Sequence, residues 1–281
     1  MSNSTILVTG GTGKTGRRVT ELLLERGYDV RAVSRNSDIR FDWNDDSTWP
    51  EAVKGIAAVY VVTTSLHDPA VTDQFRAFGK LAVANGAARA VLVSVPDDGH
   101  EGFQLAQSAE AELTKAGLGL TILRLRWFNQ NFSEDFLAPF VDAGDLRLPA
   151  GHGAEAFVDA DDIAEVAALA LTDASHAGRT YELTGPRLLT FADVADELSA
   201  ATGRTITYTP LDVDAYVAEQ IGYGVPEEWA HFSATLYANI AAGALQTVSS
   251  DIADVLGRPA RDFRDFAASA VEDGAWQTPS S

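Results

Sequence analysis

Five short runs in the first 125 residues are almost wholly apolar and rich in β-branched side chains. They are "TILVTG" (5–10), "YDVRAVS" (28–34), "AAVYVVTT" (57–64), "RAVLVSV" (89–95) and "LTILRL" (120–125). Between them apolar positions recur at helical spacing, as in Val19, Leu22 and Leu23, or Phe75, Phe78, Leu81 and Ala82. A strand covered on both faces has no solvent side, so continuous apolar runs separated by helices predict a parallel sheet between two helical layers. The expected fold class is α/β, a Rossmann-type doubly wound parallel sheet. "LHDPAV" predicts a helix start with Asp68 as N-cap and Pro69 at the first helical position. "TYELTG" (180–185) predicts a further strand, and "VDADDIAEVAALALT" (158–172) a capped helix. Beyond Thr190 the spacing is helical over roughly 191–202, 212–221, 226–242 and 260–272. The expected division is a sheet domain over 1–190 and a smaller, mainly helical cap over 191–281.

Composition narrows the function. Lys and Arg number 21 against 40 Asp and Glu, a formal net charge of -19, so nucleic acid and anionic membrane surfaces are not expected partners. Cysteine is absent, which excludes disulfides, cysteine nucleophiles and thiolate metal sites. The opening "MSNSTILVTGG" has no basic region followed by a long apolar run, so no signal peptide is expected and a cytoplasmic location is. No metal is expected either. "DWNDD" starts like a calcium loop but has Ser47 where glycine is needed and Val53 where a bidentate glutamate belongs. Asp159, Asp161 and Asp162 read as carboxylates at the positive end of a helix.

The glycines change the picture most. Gly10, Gly13 and Gly16 form G-x-x-G-x-x-G, and Gly11 adds an overlapping G-x-G-x-x-G, directly after a predicted strand and at the start of a helix. In that setting they serve a tight turn, close backbone approach to a diphosphate, and close helix–sheet packing. N–H groups of Gly13, Lys14, Thr15 and Gly16 at the helix start then face the phosphates. "GGTGKTG" lacks the spacing of a Walker A loop. At the end of the second strand, where an NAD site carries an acidic residue, stand Ser34 and Arg35, while Asp38 lies further into the loop. Arg35 suits a 2′-phosphate, which favours NADP(H) over NAD.

Together "ILVTGGTGKTGRRV", "VRAVSRN", "FDWND", "GLGLTILRLRWFNQNF" and "AFVDADDIAEVAALALT" resemble the NmrA-like family of atypical short-chain dehydrogenases/reductases. That family includes NADPH-dependent quinone reductases and also NADP-binding regulators that catalyse nothing. The resemblance spans about residues 5–200. It implies that the loop after the family's third strand, here Asp42 and Trp43, lies against the adenine. The end of its fourth strand, here Val62, Thr63 and Thr64, would line the middle of the cofactor. Ser94 and Val95 would approach the nicotinamide.

Catalytic residues are less evident. No tyrosine precedes a lysine by four positions, so the Tyr-x-x-x-Lys pair of ordinary short-chain dehydrogenases is missing. Many members of the family keep a lysine four residues before a glutamate; matched to Glu110, that place holds Ala106. A quinone or enone that accepts hydride can take its proton from water, so such a protein need only orient the rings. His100 and Asn129 are the catalytic candidates, and Phe128, Asn131 and Tyr223 the candidates for a substrate pocket. A solvated loop histidine, helix-capping asparagines and core aromatics are the structural alternatives. The expected activity is NADPH-dependent hydride transfer to a small, aromatic carbonyl, quinone or enone, with a small-molecule substrate as partner and a homodimer left open. The alternatives are a non-catalytic NADP(H) sensor acting through a protein partner, or an isomerase or cyclase that retains the cofactor.

Overall fold

The computed structural model describes residues 5–63, 66, 68–97 and 101–276, with the backbone alone at Glu101 and Gly102. In chain order the elements are β1 (Thr5–Thr9), α1 (Lys14–Glu25), β2 (Val30–Val33), α2 (Trp49–Ala52), β3 (Ile56–Val61), α3 (Val71–Ala84), β4 (Arg89–Ser94), α4 (Glu101–Lys115) and β5 (Gly119–Leu125). There follow α5 (Asn131–Glu134), α6 (Ala138–Ala143), β6 (Asp145–Leu148), β7 (Ala154–Glu155), α7 (Ala160–Thr172), β8 (Thr180–Leu183), β9 (Leu189–Thr190) and α8 (Phe191–Thr202). The chain closes with β10 (Thr207–Pro210), α9 (Val213–Gly222), α10 (Glu227–Ala241), α11 (Asp251–Leu256) and α12 (Phe263–Glu272).

Two compact units share these elements. The first holds residues 1–126, 160–183 and 251–258; the second holds 127–159, 184–250 and 259–281. The division is therefore not a single cut in the sequence.

In the first unit six parallel strands lie in the order β2-β1-β3-β4-β5-β8. Leu7, Val59, Val61, Ala90 and Leu92 of these strands are buried with Phe75 and Phe78 of α3 and Leu113 of α4. Helix α1 packs on α7, and α3 on α4. The chain leaves β1 toward β2 on one side and then crosses to β3 on the other. Connections therefore diverge at the carboxyl ends of β1 and β3, and in such sheets that switch point opens the ligand crevice.

Two local expectations change. The family's third strand, expected before Asp42, is reduced to a single bridge of Ser34 with Arg40, followed by a bridge of Asp42 with Asp45. Helix α3 starts at Val71 rather than Pro69, because Asp68 forms a turn: its Oδ1 accepts from Ala70 N at 2.9 Å and its carbonyl from Val71 N at 3.0 Å.

The second unit is not purely helical. Strands β6 and β10 pair in parallel, and β7 and β9 antiparallel. Each is two to four residues long, too short for a period-two pattern to register in the sequence. Its core is aromatic, with Phe132 packed edge-on against Phe157 and Phe263 at 5.4 and 5.3 Å. Tyr216 and Tyr237 belong to that core. By contrast Ile221, Tyr223, Trp229, Phe232 and Leu236 are exposed. Among the described residues no helix is long and apolar enough to cross a membrane.

Candidate functional site

The carboxyl end of β1 is fastened to β3 by Thr9. Its buried hydroxyl donates to the carbonyl of Tyr60 (3.0 Å) and accepts from the amide of Val62 (2.8 Å). The chain then turns at Gly10, whose φ of 63° favours glycine. Gly11 N donates to Val33 O at 3.0 Å, and Gly13 N closes the turn on Gly10 O at 2.8 Å. Of the four glycines at this turn the demand is strongest at Gly16, in the first turn of α1, where a Cβ would stand 2.2 Å from the Gly10 carbonyl oxygen.

The start of α1 carries no side-chain cap. Its N-cap is Gly13, which offers no side-chain acceptor, and no acidic residue lies in the first turn. Both omissions leave the positive end of the helix dipole for an anion from outside the chain. Thr12 and Gly13 are exposed, Lys14 half-buried and Thr15 buried. Tyr60 lies fully buried, and burial pushes its phenol well up, an effect that the Thr15 side chain opposes.

Arg35 is exposed just beyond the end of β2, and Asp38 is exposed further along the same loop. Asp42 is half-buried, with its side chain 3.3 Å from Arg40 and accepting from Asn44 N at 3.0 Å. Trp43 is a core residue, with Phe41, Trp49, Phe75 and Phe78 around its ring at centroid distances of 5.0–5.9 Å. Its indole N–H donates to Val62 O at 2.8 Å, so it fixes the peptide at the end of β3. Val62 and Thr63 are half-buried there. Thr64 and His100 lie outside the described residues.

At the end of β4 the sequence reading missed a buried ionic cluster. Ser94 Oγ donates to Glu110 Oε1 at 2.5 Å. Arg124 of β5 donates to Glu110 Oε1 and Oε2 (2.9 and 3.0 Å), to Ser94 Oγ (3.2 Å) and to the carbonyl of Val95 (2.9 Å). Phe103 covers the guanidinium, 4.7 Å from its ring centroid. One turn before Glu110, Ala106 is fully buried. The signal was present in "LTILRLRW": an arginine within a buried apolar strand requires a carboxylate.

The remaining candidates belong to the second unit. Asn129 is fully buried, its amide Nδ2 3.3 Å from Asp159 Oδ2 and its Oδ1 without a hydrogen-bond partner. Gln130 donates to Asp159 Oδ1 at 3.1 Å, and Arg261 lies 3.6 Å from Oδ2. Asp159 is thus a buried hub at the position directly before α7, and the N-cap of α5 is Gln130 rather than an asparagine. Asp161 and Asp162 do lie in the first turn of α7 and pair with Arg18 (2.7 Å) and Arg258 (2.8 Å). Asn131 is buried and Phe128 half-buried, while Tyr223, at the end of α9, is 70% exposed.

The model of the NmrA-like family matches residues 2–261. The NAD(P)H azoreductase of Xenophilus azovorans is 31% identical to this chain, over 96% of this chain and 99% of its own length. Among solved structures, the triphenylmethane reductase of a Citrobacter species complexed with NADP(H) superposes with a TM-score of 0.82 at 21% identity, covering 95% and 99% of the two chains. The NADPH-dependent quinone oxidoreductase of Escherichia coli complexed with NADPH gives 0.81 at 23%, with the same coverage. Both share the fold. The chain belongs to the NmrA-like family.

Proposed function

We propose that this member of the NmrA-like family is an NADPH-dependent oxidoreductase, with a small aromatic carbonyl, quinone or enone as hydride acceptor. The reading rests on the start of α1, which has no side-chain cap and no acidic residue in its first turn and is held against the Gly10 carbonyl at a distance that excludes any Cβ from Gly16. Gly10, Gly13, Lys14, Thr15 and Gly16 fit a diphosphate there. Arg35 pairs with a 2′-phosphate, and Asp42 borders the adenine side. Trp43 acts from the core by holding Val62, and Val62, Thr63 and Thr64 line the way to Ser94 and Val95. When bound, NADPH supplies the hydride. The names of the azoreductase and of the quinone oxidoreductase support the reaction class.

Ser94 is not the proton donor in this reading. Its hydroxyl proton is directed at Glu110 and its lone pair accepts from Arg124. The reduced product takes its proton from water or from His100, and Asn129, Asn131, Phe128 and Tyr223 remain the residues to vary for substrate preference. A cytoplasmic location belongs to the same reading.

The test is anaerobic NADPH consumption by the pure protein against a panel of quinones and enones, with NADH alongside. Saturable turnover that prefers NADPH is expected. Arg35→Ala should weaken NADPH by roughly ten- to a hundredfold, the worth of a charge-assisted bidentate contact, and leave NADH nearly unchanged. Equal losses for both cofactors would remove the role given to Arg35. The second reading, a non-catalytic NADP(H) sensor, draws on the missing Tyr-x-x-x-Lys pair and on the buried Ala106 at the lysine place. It predicts binding of NADPH with no consumption.

A further inference from the structure

Arg124 and Glu110 form a bidentate ion pair whose side chains are only 9% and 7% exposed. Such a pair is not explained by stability, because two apolar residues of the same volume would serve as well or better. An ionic set does fix directions, which an apolar pair cannot. Strand β4 ends at Ser94, whose ladder partner on β5 is Arg124 itself. Val95 lies one residue past the ladder with β5, and Arg124 Nη1 holds its carbonyl at 2.9 Å. The same nitrogen reaches Ser94 Oγ and Glu110 Oε1, and the second carboxylate oxygen holds Nη2, so the guanidinium cannot rotate without breaking four bonds at once. Phe103 closes its face.

The place of this cluster on the sheet gives its purpose. In the order β1-β3-β4 the end of β4 is two strands from the glycine turn, on the same carboxyl edge. Two strand spacings are about 10 Å, the span from a diphosphate across one ribose to the base it carries. We propose that Arg124 is a positioning residue for the nicotinamide end of the cofactor, acting through the Val95 carbonyl and, with Glu110, through the Ser94 hydroxyl. This rests on the cofactor reading above. It adds that the pair, and not a tyrosine–lysine couple, sets the geometry at the reacting end. Glu110, which follows the lysine place by one helical turn, finds its cation on β5.

The experiment uses the whole chain and two ligands. NADPH carries the nicotinamide, and its emission reports the ring's surroundings; 2′-phospho-ADP-ribose lacks the ring and reports the glycine turn and Arg35 alone. Arg124→Lys keeps the charge but loses the fork. The double variant Arg124→Met/Glu110→Leu removes the pair and keeps its volume, so it guards against a variant that fails to fold; thermal melts check both. Each folded variant should lose most of the emission change on NADPH binding and bind NADPH about tenfold more weakly. Affinity for 2′-phospho-ADP-ribose should stay within about twofold. Unchanged NADPH emission and affinity would overturn the positioning role, as would equal weakening of both ligands, the signature of a merely structural pair. Wild-type protein that binds neither ligand would overturn the cofactor reading, and this role with it.

Discussion

Replacing Gly16 by alanine adds one methyl group, and the structure predicts both the sign and the cause of its effect. Elsewhere in a helix this change is favourable by roughly 0.5–1 kcal/mol, because alanine loses less backbone entropy on folding. At Gly16 the new Cβ would sit 2.2 Å from Gly10 O, 2.8 Å from Gly10 C and 3.2 Å from Gly11 Cα. All three are backbone atoms, so no rotamer change relieves the overlap. Helix and turn must part by roughly 1 Å to reach ordinary contact. That motion strains the bond from Gly13 N to Gly10 O and tilts α1 against the sheet. Overpacking of this kind costs about 1–3 kcal/mol, which outweighs the propensity gain. Urea unfolding should therefore show Gly16→Ala less stable by about 1–2 kcal/mol, and titration should show NADPH binding weakened at least tenfold. Gly222, the last residue of α9, makes the control: its φ is not positive and nothing lies within 4 Å of its added Cβ. Gly222→Ala should stabilise by up to about 1 kcal/mol and leave NADPH binding alone. A Gly16→Ala protein as stable as wild type that binds NADPH normally would refute the close-approach argument.

Two further outcomes follow from single interactions. Trp43→Phe removes the indole donor from Val62 O while Thr9 Oγ1 still reaches that carbonyl at 3.2 Å; an unfolding free energy lower by about 1–2 kcal/mol is expected, and no change would show that the indole bond carries nothing. In the second unit Glu197 and Asp262 titrate below the usual carboxylate range, Glu197 through hydrogen bonds from Arg264 and Arg187, and Asp262 through those from Arg187. A depressed folded value gives stability that is complete above the unfolded range, about pH 4–4.5, and is lost as pH falls through the folded one. The melting temperature should thus be steady from neutral pH to about pH 5 and fall below that, and Glu197→Gln should lower it by a few degrees at neutrality and shallow the acid fall. An acid limb identical in the variant would show that Glu197 takes no part.

Much of the first unit was legible because parallel strands carry their burial in their composition. All six strands of the sheet were read within a few residues, and so was the helix that follows the glycines. The turn itself was legible because close backbone approach leaves one permissible residue type. That Trp43 is a buried indole holding Val62 was not legible, because it depends on four rings brought together from three segments. In the second unit the helices read over 191–202 and 212–221 were evident from their spacing, whereas the short strands and the exposure of Trp229 were not.

By itself the sequence determined the fold class and the glycine turn, because each is written in local spacing within some 30 residues. Tertiary structure alone decided the rest. It brought Ser94, Glu110 and Arg124 from two strands and a helix into one buried network, and it interleaved three stretches of chain to build each unit. The physical reason is that buried charges and long-range packing are settled by which elements become neighbours, and no local pattern records that choice.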